Sequence, residues 1–235
     1  MLSWHAFAAR TGAARGVVAV APHPDDEVLG CGGLIALARR HRVPVRVVHV
    51  TDGGASHPGS RAWPPARLVQ LRADEARRAC RALGVPRPPV RIGLPDGGAH
   101  DARGAVRAEA VRRLARVIGE ANPGLVVTTW TREPHCDHQA AHALARDAMA
   151  RARSQADLAS YLVWSGRTGD RGALPRPREA VPVTLALGST RAVKRRALDA
   201  HASQLGRVVR DDPDGFVLSR ADREAMLGRT ETYWL

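Results

Sequence analysis

Two kinds of apolar pattern alternate along the chain. Val17-Val18-Ala19-Val20-Ala21 is an unbroken apolar run of strand length, the mark of a strand covered on both faces. Glu27–Arg40 follows with helical length, apolar positions at Val28, Leu29, Leu34, Ile35 and Leu37, and basic residues where a helix C-terminus favours them. Val43–Thr51 is a second strand, ended by Asp52-Gly53-Gly54, and completes a strand-helix-strand unit. After a Pro- and Gly-rich loop over His57–Pro65, the pattern predicts a helix over Ala66–Leu83, a strand over Val90–Leu94 and a helix over Ala105–Ala121. A strand over Leu125–Trp130 and a helix from Gln139 to Arg153 come next. Beyond Ser154 the pattern is less regular, with strands at Leu158–Trp164 and Val181–Leu187, a Pro- and Arg-rich connection over Arg171–Ala180, and a helix over Ser189–Leu205. The expected architecture is α/β: an open, mostly parallel sheet with helices on both faces and ligands bound outside the carboxyl ends of the strands.

Composition narrows this without changing it. With 235 residues, 44% hydrophobic and 25% charged, the chain fits one globular domain over 1–235, whose regular core is expected at about 16–153. No apolar run reaches the roughly 18 residues of a membrane span, and Met1–Arg15 lacks the apolar stretch of a secretory signal, so a cytoplasmic protein is expected. Cys31, Cys80 and Cys136 are odd in number and widely spaced, which argues against a disulfide framework and suits a reducing compartment. The net charge of +13 is almost wholly arginine, since Lys194 is the lone lysine. These arginines are scattered through every segment and the aromatic content is 4%, so no specific nucleic-acid surface is expected. The same field would favour an anionic small-molecule substrate.

Candidate chemistry sits at two strand ends. Pro22-His23-Pro24-Asp25-Asp26-Glu27 follows the first strand, and His135-Cys136-Asp137-His138 follows the strand over Leu125–Trp130. A catalytic divalent metal takes about three protein ligands and keeps one position open. His23, Asp26 and His138 supply that set, and Asp25 beside it can take a proton from water. The plainer reading is a run of acids complementing a helix N-terminus plus two loop histidines; two such motifs at strand ends of one α/β chain favour the metal. His142, four residues after His138, is an alternative ligand on the same helix face. Cys136 reads as a bystander.

These residues resemble the LmbE-like superfamily of GlcNAc-phosphatidylinositol de-N-acetylase (PIG-L) relatives, whose signature is a strand followed by PHPDDE and a later HxDH. APHPDDEVLG and HCDH carry the likeness. Weaker matches are Thr51-Asp52-Gly53, Arg72 and Glu75, Leu94-Pro95-Asp96-Gly97, and Lys194, Ala197, His201, Ser203 and Gln204. The resemblance implies a Rossmann-like fold and zinc-dependent removal of an acetyl group from an N-acetylglucosamine-type amine. It makes His23, Asp26 and His138 the zinc ligands and Asp25 the general base. His135 would hold the oxyanion or protonate the amine, Asp137 would orient a histidine, and Arg72 and Asp96 would hold substrate. Iron(II) also suits the ligand set. Some relatives carry a tyrosine just upstream of HxDH, where this chain has Glu133. The implied substrate is a small N-acetylated sugar or conjugate; the alternatives are an amidase acting on a thiol or glycoconjugate, or a basic nucleic-acid binder with a non-catalytic metal site. Arg61, Arg167 and Arg171, in loops expected to shape the substrate mouth, favour a phosphate- or carboxylate-bearing substrate.

Overall fold

The computed structural model describes residues 1–165 and 174–235, so Arg167, Arg171 and part of the Arg171–Ala180 connection lie outside the described residues. The helices are α1 (Trp4–Thr11), α2 (Asp26–Arg40), α3 (Pro65–Ala82), α4 (Gly104–Ala121), α5 (Cys136–Arg151), α6 (Thr190–Asp199) and α7 (Arg220–Met226). The strands are β1 (Val17–Ala21), β2 (Val45–Thr51), β3 (Val90–Leu94), β4 (Leu125–Thr129), β5 (Asp157–Tyr161), β6 (Pro182–Ala186) and β7 (Thr230–Trp234). They form one sheet in the order β3-β2-β1-β4-β5-β7-β6.

β1 lies in the middle because its two faces feed two cores. Val17 and Ala19 pack with α1, α2 and α6, while Val18 and Val20 pack with α4 and α5. That explains why its apolar run has no polar alternation. β1 pairs in parallel with β2 and with β4, starting at Val17↔Val45 and Val17↔Leu125. The chain winds outward from β1 to β2 and β3 and then returns to β4 on the other side. The β1/β4 boundary is therefore the switch point of the winding, where an α/β sheet opens a crevice for a ligand.

The expected α/β architecture holds, with an edge the pattern did not predict. β7 runs antiparallel to both β5 and β6, making the far edge of the sheet antiparallel. Two element boundaries also move for identifiable reasons. β5 ends at Tyr161 because the backbone N–H groups of Trp164 and Ser165 donate to Glu133, both at 2.9 Å, instead of to a strand. α6 stops at Asp199, short of Leu205, because buried Glu75 draws in Ser203 through its backbone N–H at 2.8 Å and its hydroxyl at 2.6 Å.

α2 carries the loop after β1, and its own shape is unusual. Cys31 leaves helical geometry at φ −139°, ψ 19°, so the helix kinks there. Its glycines are set by contact: a Cβ on Gly30 would lie 2.0 Å from the Tyr161 ring, and one on Gly33 would lie 2.4 Å from the Leu187 side chain. Glu231 of β7 accepts from the N–H groups of Gly33 (2.7 Å) and Leu34 (2.8 Å), which caps the helical segment beyond the kink. Lys194 of α6 donates to Leu29 O and to Glu231 Oε1, both at 2.8 Å. The kink is thus held by a buried ion pair from two later elements.

Candidate active site

The site grows from two loops at the switch point. After β1 the chain turns through His23 and Pro24 and enters α2 at Asp25, whose φ of 137° is far outside the ordinary range for a residue with a side chain. Three contacts hold this backbone: the Asp25 N–H donates to Glu27 Oε2 at 3.0 Å, and the Asp25 carbonyl accepts from Val28 (2.8 Å) and Leu29 (2.9 Å). Glu27 is itself buried and accepts from His49 Nε2 at 3.0 Å. After β4, α5 begins at Cys136, three residues earlier than the pattern indicated, because His135 caps it: its Nδ1 accepts from the Asp137 N–H at 3.1 Å. Asp137 and His138 therefore stand in the first helical turn and face β1.

The two loops bring three acceptor atoms together. Asp26 Oδ2 lies 3.1 Å from His23 Nδ1 and 3.3 Å from His138 Nε2, and all three residues are buried. The outer nitrogens of both histidines are committed elsewhere. His23 Nε2 meets Asp96 Oδ1 at 3.1 Å and Asp137 Oδ2 at 3.2 Å, while His138 Nδ1 meets Glu133 Oε2 at 3.0 Å. Carboxylates on the outer nitrogens fix the tautomers with the inner nitrogens bare. Two lone pairs and a carboxylate oxygen then face one another, an arrangement that calls for a cation between them. Tetrahedral metal–ligand bonds of about 2.0–2.2 Å separate ligand atoms by about 3.3–3.6 Å, close to the spacings seen. The donor set fits a divalent metal. His142 does not join it: its Nδ1 bonds the Thr129 carbonyl at 3.0 Å.

Around this centre the remaining expected residues take distinct places. Asp137 is fully buried and accepts from the Gly97 (2.7 Å) and Ala99 (2.9 Å) N–H groups, so it ties the turn after β3 to α5 while steadying His23. Asp96 accepts from the Ala55 N–H at 2.9 Å; burial raises its pKa but the His23 contact and Arg72 outweigh this, leaving it at about 2. Arg72 is buried and spends its terminal nitrogens on protein oxygens: Gly53 O at 3.0 Å, Pro24 O at 2.8 Å and Asp25 Oδ2 at 3.3 Å. It braces the Asp25 loop from beneath. Burial raises the Asp25 carboxyl, Arg72 pulls it back and Asp26 adds to the rise, leaving it at about 6. Burial, and then the neighbouring His23 and His138, lower His135, which keeps its imidazole neutral. With Nδ1 accepting from Asp137, the proton of that neutral ring is on Nε2.

Glu133 has a place beside the candidate site that the sequence did not indicate. It is buried, accepts from His138, Trp164 and Ser165, and is held ionised by those partners against the opposing effect of burial. Glu133→Gln puts an amide donor against groups that already donate, and is expected to weaken metal affinity by about 10–100-fold. Competitive titration against a chromogenic chelator measures this; unchanged affinity would remove Glu133 from the metal's support.

All of these groups except Glu133 and Asp137 line one cleft of about 490 Å³. His23, Asp25, Asp26, His135, His138 and Asp96 line it around the candidate metal position, taken as its inner end, and Trp164, Gln204, Asp214 and Phe216, none of them hydrogen-bonded to those residues, line the remainder, its outer part. Arg61 is not among the lining residues. No helix among the described residues is long and apolar enough to cross a membrane.

The sequence profile of the GlcNAc-PI de-N-acetylase (PIG-L) family matches residues 18–149. A 1D-myo-inositol 2-acetamido-2-deoxy-alpha-D-glucopyranoside deacetylase from Rhodococcus erythropolis is 31% identical over 245 residues, covering 83% of this chain and 83% of its own. A probable N-acetyl-alpha-D-glucosaminyl L-malate deacetylase from Bacillus subtilis is 27% identical, covering 83% of this chain and 86% of its own. The crystal structure of an A40926 pseudoaglycone deacetylase superposes with a TM-score of 0.69 at 24% identity, covering 94% of this chain and 96% of that one, which shows the shared fold.

Proposed function

We propose, given that this chain belongs to the PIG-L family, that it is a metal-dependent hydrolase removing the N-acetyl group from a glucosamine-type sugar conjugate. The observation that carries the reading is the convergence of His23, Asp26 and His138 beside Asp25 on the floor of a sugar-sized cleft. The names of the two sequence relatives share an N-acetylated glucosamine glycoside and differ in the aglycone, inositol in one and malate in the other. We assign the shared part to the inner cleft and leave the aglycone to the outer one.

His23, Asp26 and His138 would hold the metal, zinc being the choice that best matches two imidazoles and a carboxylate. When bound, it supplies Lewis acidity toward the amide carbonyl and toward water. Asp25 accepts the proton of the attacking water; its side chain lines the cleft and its backbone is held in one strained conformation, so the base is fixed before substrate arrives. His135 offers its Nε2–H to the oxygen that gains negative charge. Because that ring is already neutral, giving up this proton would leave an imidazolate. Asp25, holding the proton it took, is the group that returns it to the departing nitrogen. Asp96 and Asp137 act on His23, and Arg72 acts on Asp25. The products are acetate and a free amine. We place the enzyme in the cytoplasm, where its three free cysteines stay reduced.

Acetate release from N-acetylglucosaminides, with and without chelator and with zinc restored, tests the reading. Activity lost to chelator and regained with zinc is expected. Release that ignores the chelator would sink it.

A further inference from the structure

Beyond the reacting end of the substrate, the outer cleft has a definite polarity. The chain carries 36 lysines and arginines, yet among the described residues lining the cleft the sole cation is Arg72, whose terminal nitrogens are already spent on protein oxygens. The outer wall presents acceptors instead.

Gln204 lines the cleft, is 2% exposed, and its Oε1 has no hydrogen-bond partner. The orientation of this amide is dictated from behind. Glu75, a carboxylate and so an acceptor, accepts a hydrogen bond from the Ser203 hydroxyl at 2.6 Å; the Ser203 oxygen then accepts from Gln204 Nε2 at 2.9 Å. The acceptor end of the amide is thereby the end left free. A buried acceptor without a partner calls for a donor on the ligand. Nearby, Asp214 lines the same cleft with a carboxylate that has no partner among the described residues, and Trp164 and Phe216 meet edge to face at 5.8 Å and 78°. Aromatic faces beside a carboxylate form the surroundings that hold an ammonium group.

We propose that the outer cleft is a subsite for a cationic, amine-bearing aglycone, with Gln204 taking a hydroxyl or amine hydrogen, Asp214 pairing with the ammonium and Trp164 covering it. The substrate class is an N-acetylated amino sugar that carries a second, unacetylated amine. It differs from the anionic substrate expected from Arg61, Arg167 and Arg171, of which Arg61 is absent from the lining and the other two lie outside the described residues. The net charge of +13 does not oppose it at close range, because surface charges beyond about 8 Å are screened at physiological ionic strength.

The inference rests on the deacetylase reading, and its test separates the two. Three N-acetylglucosaminides whose aglycones differ in charge serve as probes: the 2-aminoethyl, the methyl and the 2-carboxyethyl glycoside. Calorimetric affinity for each is measured together with acetate release by the metal-loaded protein. The aminoethyl glycoside is expected to bind and turn over about tenfold better than the carboxyethyl one. Asp214→Asn, on an exposed turn where folding is not at stake, is expected to bring the aminoethyl-to-methyl ratio close to one. Equal or better handling of the carboxyethyl probe overturns the subsite, as does an unchanged ratio in Asp214→Asn. Charge-ordered binding without acetate release from any probe leaves the subsite standing and removes the deacetylase reading instead.

Discussion

Asp25→Asn is expected to lower kcat for acetate release by about 10²–10⁴ while the protein still binds one metal per chain. The substitution keeps the size of the side chain and leaves the backbone N–H to Glu27 and the carbonyl contacts to Val28 and Leu29 in place, so the loop keeps its shape. What disappears is a carboxylate braced by Arg72 and held at about 6, able to take and return a proton near neutrality. Steady-state kinetics with elemental analysis of the same preparation separates this from metal loss. A kcat within about threefold of the parent would show that another group moves the proton, and loss of metal together with activity would make Asp25 part of the metal's surroundings instead.

The second large effect concerns stability. Lys194 and Glu231 form a buried ion pair, 1% and 4% exposed in their side chains, joining α6 and β7 to the kink of α2. Glu231→Leu is expected to destabilise the fold by about 3–5 kcal/mol, since it strands a buried ammonium and leaves the Gly33 and Leu34 N–H groups without partners. Lys194→Met costs less, because the Glu231 carboxylate keeps both of those donors and the Tyr233 hydroxyl at 2.6 Å. The double variant is expected to lose less than Glu231→Leu alone. Urea unfolding of the three proteins checks the order. A loss below about 1 kcal/mol for Glu231→Leu would show that the pair is dispensable.

How much of this was legible in the sequence depends on the range of the interactions involved. β1 and the Pro22–Glu27 loop could be read because both faces of a central strand are apolar and the loop that follows it is continuous in sequence. The convergence of His23, Asp26 and His138 could be read for the same reason: His23 and Asp26 are three residues apart, and His138 stands at the end of the neighbouring strand. Glu133 could not, because its meaning comes from Trp164 and Ser165, 31 and 32 residues away. A lone glutamate in a loop gives no sign that two distant backbone amides will converge on it. The antiparallel edge was illegible in a similar way: Thr-Glu-Thr-Tyr-Trp places a charged residue where a buried strand is expected to be apolar. That glutamate is buried because Lys194 and the kinked helix meet it, a circumstance that no local pattern encodes. Arg61 shows the same limit from the other side: a basic residue near the expected mouth is not among the described residues that line the cleft.

The cap on the kinked helix has a temporal side. Gly33 receives its acceptor from a residue 198 positions further along the chain. At a synthesis rate of about 5–20 residues per second, the interval between making the two is about 10–40 s. Throughout that time the helix that presents Asp25 and Asp26 has an unsatisfied amino end in its middle. The nascent chain can assemble β1, β2 and β4 early, but the segment bearing its reactive loop becomes rigid only after β7 arrives. Enzymatic competence should therefore emerge late in biosynthesis, well after the parallel part of the sheet resists proteolysis.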